Sequence, residues 1–285
     1  MSTTLAPGQP TAGLAPLLVH HRPALAGAAG PARRGLLLHG LASSHTVWDQ
    51  LLDRLPAGVE TWTAELPWRA DHVLPWSRQQ QRTDWIAAAL DQVPGGPEVV
   101  VAHSYSANLL LDFLSRQAAA GCDPLSRYGI GGIVLVSPFY RREADDFAWD
   151  AISGMQRDFL HIMEEGIRTH SGRPIDPEIR LHMARRVCER VGPYGWLRFF
   201  EVYLRTPWLR TELIGVPVVV VTGRQDFASA ESERLAADLP RAELRVIPEC
   251  GHYPMAERPE LFSALVGGFL NQIPIRLPDA VRERA

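Results

Sequence analysis

VVVAHSYSANLLLDF spans residues 99–113, and the fold turns on how it is read. Val99 to Ala102 form a short, continuous apolar run, the pattern of a strand buried on both faces. From Ser106 onward the chain turns amphipathic, as a helix does. Only His103, Ser104 and Tyr105 separate the two, so strand must pass into helix through a sharp turn. Such a turn usually carries glycine, and this one has none. The steric requirement two residues before and two after the serine is only smallness, and Ala102 and Ser106 meet it. A serine lifted on that turn has its hydroxyl clear of the sheet and a helix N-terminus behind it that favours negative charge. The amide of Tyr105 points where an oxyanion would form. The same position would suit a serine that merely caps the helix. On this stretch alone both readings stand.

Working outward, buried-strand runs alternate with helical patterns. LAPLLVHHRP (14–23), RRGLLLHG (33–40), VETWTAELP (59–67), PEVVVAHS (97–104), IGGIVLVSP (130–138), VPVVVVTGRQD (216–226) and AELRVIPE (242–249) read as strands. HTVWDQLLDRL (45–55), RTDWIAAALDQV (82–93), SAESERLAADL (229–239) and ERPELFSALVGGFL (257–270) read as helices. Continuous Val/Ile/Leu strands between helices predict an α/β fold whose mostly parallel sheet is covered on both faces. The alternation stops after Pro138. Residues 139–208 hold no convincing strand and read as three helices: 146–167, 176–191 and 194–204. In the second, Asp176 is placed to cap, Pro177 sits in the first turn, and Ile179, Met183, Val187 and Val191 form an apolar stripe. The expected organisation is a loose tail over 1–15, a core of 16–138 and 209–275, a helical insertion over 139–208, and a solvated tail over 276–285.

The chain has 285 residues, enough for one large α/β domain, with 46% apolar and 21% charged residues and a formal net charge of -3. That balance points to neither nucleic acid nor an anionic membrane as partner. No apolar run approaches the roughly 20 residues of a membrane span, and the N-terminus lacks the pattern of a secretory signal. Cys122, Cys188 and Cys250 are odd in number and lack metal-site spacing. They are expected to be free thiols in a reducing cytosol, Cys250 as a small buried residue. No cofactor and no metal are expected.

A serine hydroxyl is a weak nucleophile near neutral pH and needs a base oriented by a third group. VVVVTGRQDFAS (218–229) carries Asp226 just beyond a strand, and RVIPECGHYPMAERPE (245–260) carries His252 in the loop after the next one. Each residue alone is ordinarily a turn or structural residue. The order Ser, Asp, His, each after a late strand, gathers all three at the carboxyl edge of the sheet, where parallel sheets bind ligands. A second oxyanion donor is expected from LLLHGLASSH (36–45), with the Leu41 amide as candidate. His39 is read as bonding within its own loop.

These motifs resemble the α/β-hydrolase superfamily: His39-Gly40, the turn Ala102-His103-Ser104-Tyr105-Ser106, Gly223-Arg224-Gln225-Asp226, and Gly251-His252 before Glu-Arg-Pro-Glu. The resemblance runs over most of the chain apart from 139–208. It implies an α/β-hydrolase fold with Ser104 as nucleophile, Asp226 as orienting acid and His252 as base. Some members carry the acid one strand earlier, but here the first carboxylate after that strand is Glu143. Two departures stand out. The turn lacks both flanking glycines, and ELPWRADHVLPW (65–76) has Trp68 where relatives often have glycine.

The insertion over 139–208 resembles the lid of this superfamily, which excludes water and shapes the pocket. Trp48, Trp68, Phe139, Tyr140 and Trp149 are candidate pocket residues for a bulky apolar or aromatic small-molecule substrate. The expected activity is hydrolysis of a small, largely apolar ester or thioester through an acyl-enzyme on Ser104. Carbon–carbon bond hydrolysis and acyl transfer use the same three residues, and a non-hydrolytic ligand-binding protein is the reading from another class.

Overall fold

The computed structural model describes residues 17–25, 31–78 and 85–274. The tails expected over 1–15 and 276–285, and the first residues of the helix expected over 82–93, lie outside that set. Seven strands, β1 (Leu18–Arg22), β2 (Arg33–Leu38), β3 (Val59–Glu65), β4 (Val99–His103), β5 (Gly132–Val136), β6 (Val218–Gly223) and β7 (Ala242–Ile247), form one sheet in the order β1-β3-β2-β4-β5-β6-β7. β1 runs antiparallel to β3, and every other pairing is parallel.

The register aligns the apolar runs. Leu36 sits opposite Val100, Val100 opposite Ile133, and Val134 opposite Val219. Every residue of β4, β5 and β6 is buried, as strands covered on both faces require. β7 is an edge strand and alternates, with Glu243 and Arg245 exposed.

The helices before β5 are α1 (Asp49–Leu52), α2 (Val73–Ser77), α3 (Trp85–Asp91), α4 (Tyr105–Ala119) and α5 (Pro124–Arg127). After the sheet resumes come α8 (Ser229–Asp238), α9 (Pro254–Glu257) and α10 (Pro259–Gln272). Between β5 and β6 the chain inserts two long helices, α6 (Trp149–His170) and α7 (Pro177–Tyr203). Asp176 caps α7 by accepting from the amides of Glu178 and Ile179, with Pro177 in the first turn. At Gly192 α7 breaks, with φ 62 and ψ 178 just before Pro193, so the two helices read at 176–191 and 194–204 are its two halves. The expected stripe is rotated. Ile179 and Met183 are exposed, while Ala184, Val187, Cys188 and Val191 face inward. That inward set keeps helical spacing, but only one side of the helix is covered.

Among the described residues, four non-glycines have positive φ: Ala42, Ser104, Ser137 and Glu249. They follow β2, β4, β5 and β7, so the unusual backbone collects at one edge of the sheet, the carboxyl edge. Among the described residues no helix is long and apolar enough to cross a membrane.

Candidate active site

Ser104 stands between β4 and α4 at φ 55 and ψ -119, a conformation that costs a non-glycine residue about 1–3 kcal/mol and collects at functional sites. Its side chain makes no capping bond to α4, so the capping role open at the sequence level is not the one it has. The Ser104 amide donates to the Val136 carbonyl (2.7 Å), which ties the turn to the end of β5. Ala102 and Ser106 are fully buried. Ser106 has a use beyond smallness, because its hydroxyl donates to the His39 carbonyl and so ties α4 to the loop after β2. Gly40 in that loop must be glycine: a Cβ there would lie 2.9 Å from His103 Nδ1 and 3.2 Å from Ser104 Cβ.

His252, in the loop after β7, is buried, with Nε2 at 2.9 Å from Ser104 Oγ. Its Nδ1 is 3.0 Å from both carboxylate oxygens of Asp226. A carboxylate there fixes the tautomer: Nδ1–H donates to Asp226, and Nε2 is left to accept from the serine hydroxyl. Burial alone would raise the Asp226 carboxyl, but facing His252 outweighs it and holds the group below its ordinary range. The Ala228 amide also donates to Asp226 (3.1 Å). Glu143, the rival acid, sits at the surface in a reciprocal cap with Asp146.

The histidine loop is itself held by carboxylates. Glu257 accepts from the amides of Gly251 and Tyr253, both at 3.1 Å, and Glu165 of α6 accepts from the amide of His252 at 2.9 Å. His103 Nε2–H donates to the His252 carbonyl (3.0 Å). Burial, with His252 nearby, drives His103 well below the ordinary histidine range. Burial also lowers His39, to about 4. Neutral His39 donates from Nδ1 to Gly40 and accepts the Leu66 amide at Nε2, bonds that hold its own loop and leave no nitrogen for base chemistry.

The amides of Leu41 and Tyr105 donate to no other group among the described residues. Leu41 lies in the loop after β2 and Tyr105 opens α4, the two segments that the Ser106–His39 bond ties together.

The candidate pocket aromatics divide. Phe139 is buried with its ring 5.7 Å from that of His252. Trp68 donates from its indole to the His39 carbonyl (3.2 Å) and meets Tyr105 and Trp76 edge-on. Trp48 is buried, its ring 6.4 Å from that of Phe262 and 6.5 Å from that of His103. Trp149 opens α6 and is 79% exposed. Tyr140 turns its hydroxyl to Asp238 of α8 (2.8 Å). Phe227, directly after Asp226, was missed: its ring stacks at 6.3 Å on His252 and meets Phe159 of α6. The only sign of it in the sequence is its place beside the acid.

Among the described residues one group could offer a cation three ligands, His20, His45 and Glu65. Its two rings lie stacked at 4.0 Å, so their in-plane lone pairs run side by side rather than converging, and Arg69 holds the other oxygen of Glu65.

Comparison with known proteins agrees with this architecture. The model of the alpha/beta hydrolase family matches residues 36–265. The pimeloyl-(acyl-carrier protein) methyl ester esterase of Aromatoleum aromaticum is 27% identical over 252 residues, covering 81% of this chain and 95% of that protein. The enzyme of the same name from Nitrosomonas europaea is 25% identical, covering 80% and 91%. Among solved structures, an esterase from Rhodococcus sp. ECU1013 superimposes with a TM-score of 0.58 at 18% identity, covering 90% of this chain and 95% of that one.

Proposed function

The chain belongs to the alpha/beta hydrolase family, and from that premise we propose that it is a serine esterase acting on a small, largely apolar carboxylic ester. The observation that carries the proposal is the continuous line from Ser104 Oγ through the His252 ring to the Asp226 carboxylate, with contacts of 2.9 and 3.0 Å. His252 Nε2 takes the hydroxyl proton as Ser104 attacks the ester carbonyl, and Asp226 stabilises the imidazolium that results. The negative charge of the tetrahedral intermediate falls to the amides of Leu41 and Tyr105. A donor of this kind is worth about 10²–10³ in turnover. Collapse expels the alcohol, which takes the proton from His252 and leaves an acyl group on Ser104. Water, activated by the same histidine, then releases the acid.

The two curated relatives named as methyl ester esterases support an ester as substrate. Residues 139–208 are proposed to act as the lid. Phe159 of α6 and Phe199 of α7 join Phe139 and Phe227 in an aromatic wall that reaches His252. Such a wall suits an apolar acyl group and excludes water. The three unpaired cysteines support a reducing cytosol as its compartment.

A panel of chromogenic esters graded in acyl size tests the proposal. The wild type turns over the apolar members, and Ser104→Ala loses at least about a thousandfold on each. Equal turnover by the two proteins would refute it.

A further inference from the structure

We propose that Glu165 is a positioning residue for His252, a latch by which the inserted helix α6 fixes the histidine in line with Ser104. The inference rests on the reading of His252 as the base. The sheet alone does not hold that histidine. Its ring is aligned by Asp226, but its backbone lies in a loop whose successive amides at Gly251, His252 and Tyr253 all go to carboxylates. Two of the three go to Glu257, six or fewer residues away on the same loop and helix. The central one, that of His252 itself, goes to Glu165, 87 residues away in the insertion.

Both surfaces are shaped for this contact. A Cβ at Gly251 would fall 1.8 Å from Glu165 Oε1, so the glycine before the histidine is what lets the carboxylate in. A Cβ at Gly166, the next residue of α6, would fall 2.8 Å from the Tyr253 hydroxyl oxygen. Thus Glu165-Gly166 on the helix seats against Gly251-His252-Tyr253 on the loop, with glycine at each close approach. Arg168, one turn along α6, pairs with Glu257 (3.0 Å) and lies 4.0 Å from Glu165, which sets a positive charge between two neighbouring carboxylates. Burial raises the Glu165 carboxyl, opposed by the His252 amide and reinforced by the charge of Glu257. A group desolvated at that cost has a bond to hold.

Glu165 touches neither Ser104 nor the acyl group in this account, so its removal should impair chemistry and not substrate choice. The test compares Glu165→Ala and Glu165→Gln with the wild type on one small activated ester. It also compares the rate at which a small fluorophosphonate modifies Ser104, with thermal melting to confirm folding. Glu165→Ala should lower kcat and the modification rate by about ten- to a hundredfold, the cost of a displaced catalytic group, with KM nearly unchanged. Glu165→Gln keeps a carbonyl that can accept the amide and should recover most of the loss. If Glu165→Ala does not fold, Glu165→Asp withdraws the carboxylate by one methylene and should lower kcat in the same way. A folded Glu165→Ala protein with wild-type kcat and modification rate overturns the inference. So does a Glu165→Gln protein as impaired as Glu165→Ala, since charge or packing would then be the cause. A wild type left unmodified at Ser104 would instead overturn the functional reading on which the inference rests.

Discussion

Ser106 stands where a turn of this kind usually has glycine, and it is buried against the loop that carries Gly40 and Leu41. Its hydroxyl shares the His39 carbonyl with the Trp68 indole. A leucine here would drive its branched end into that loop, so Ser106→Leu should cost roughly 1–3 kcal/mol, the range for an overpacked site. Ser106→Gly relaxes the turn but gives up one hydrogen bond, worth about 1 kcal/mol; it should fold and keep most activity. Urea denaturation and turnover on one ester check both variants, and a Ser106→Leu protein as stable and active as wild type would show that the turn is not crowded there. The need for a small residue was legible in the sequence. The hydroxyl's partner was not, because His39 belongs to a different strand–loop unit and only the pairing of β2 with β4 brings the two together.

The helices α6 and α7 illustrate a limit of periodicity. Their existence, the cap at Asp176 and the break before the second half of α7 all follow from local pattern. Which side faces inward does not, because an insertion covered on one side leaves apolar residues such as Ile179 and Trp149 in solvent. The inward-facing set on α6 includes Phe159, whose ring meets Phe139, Phe199, Phe227 and Trp196 at 4.6 to 6.1 Å. Contacts of this kind add about 0.5–1.5 kcal/mol each beyond burial. If this wall receives the acyl group, Phe159→Leu should change the ratio of kcat/KM between a bulky aromatic acyl ester and an acetyl ester by about tenfold, in the range of one reshaped apolar contact. Turnover of the acetyl ester should stay close to wild type. A uniform fall on both esters, with the fold intact, would mean that α6 serves the chemistry there and not substrate selection.

At the scale of the whole molecule, the sheet order brings together residues that the chain keeps far apart. β4 lies next to β5, and β6 lies between β5 and β7, so the loops bearing Ser104, Asp226 and His252 open on one edge. That convergence was readable from strand order and from the positions of the three residues after their strands. The carboxylates that hold the histidine loop were not, since Glu165 comes from the insertion and no local pattern singles it out among the acids of α6. The central claim is that this arrangement makes Ser104 a nucleophile. The most direct measurement is intact-mass spectrometry with peptide mapping after exposure to a small fluorophosphonate, whose phosphoryl oxygen would lie between the Leu41 and Tyr105 amides and mimic the tetrahedral state. The account predicts one stoichiometric adduct on Ser104, absent in Ser104→Ala and formed far more slowly in His252→Ala. Folded wild-type protein that keeps Ser104 unmodified after long exposure to several such probes would contradict it.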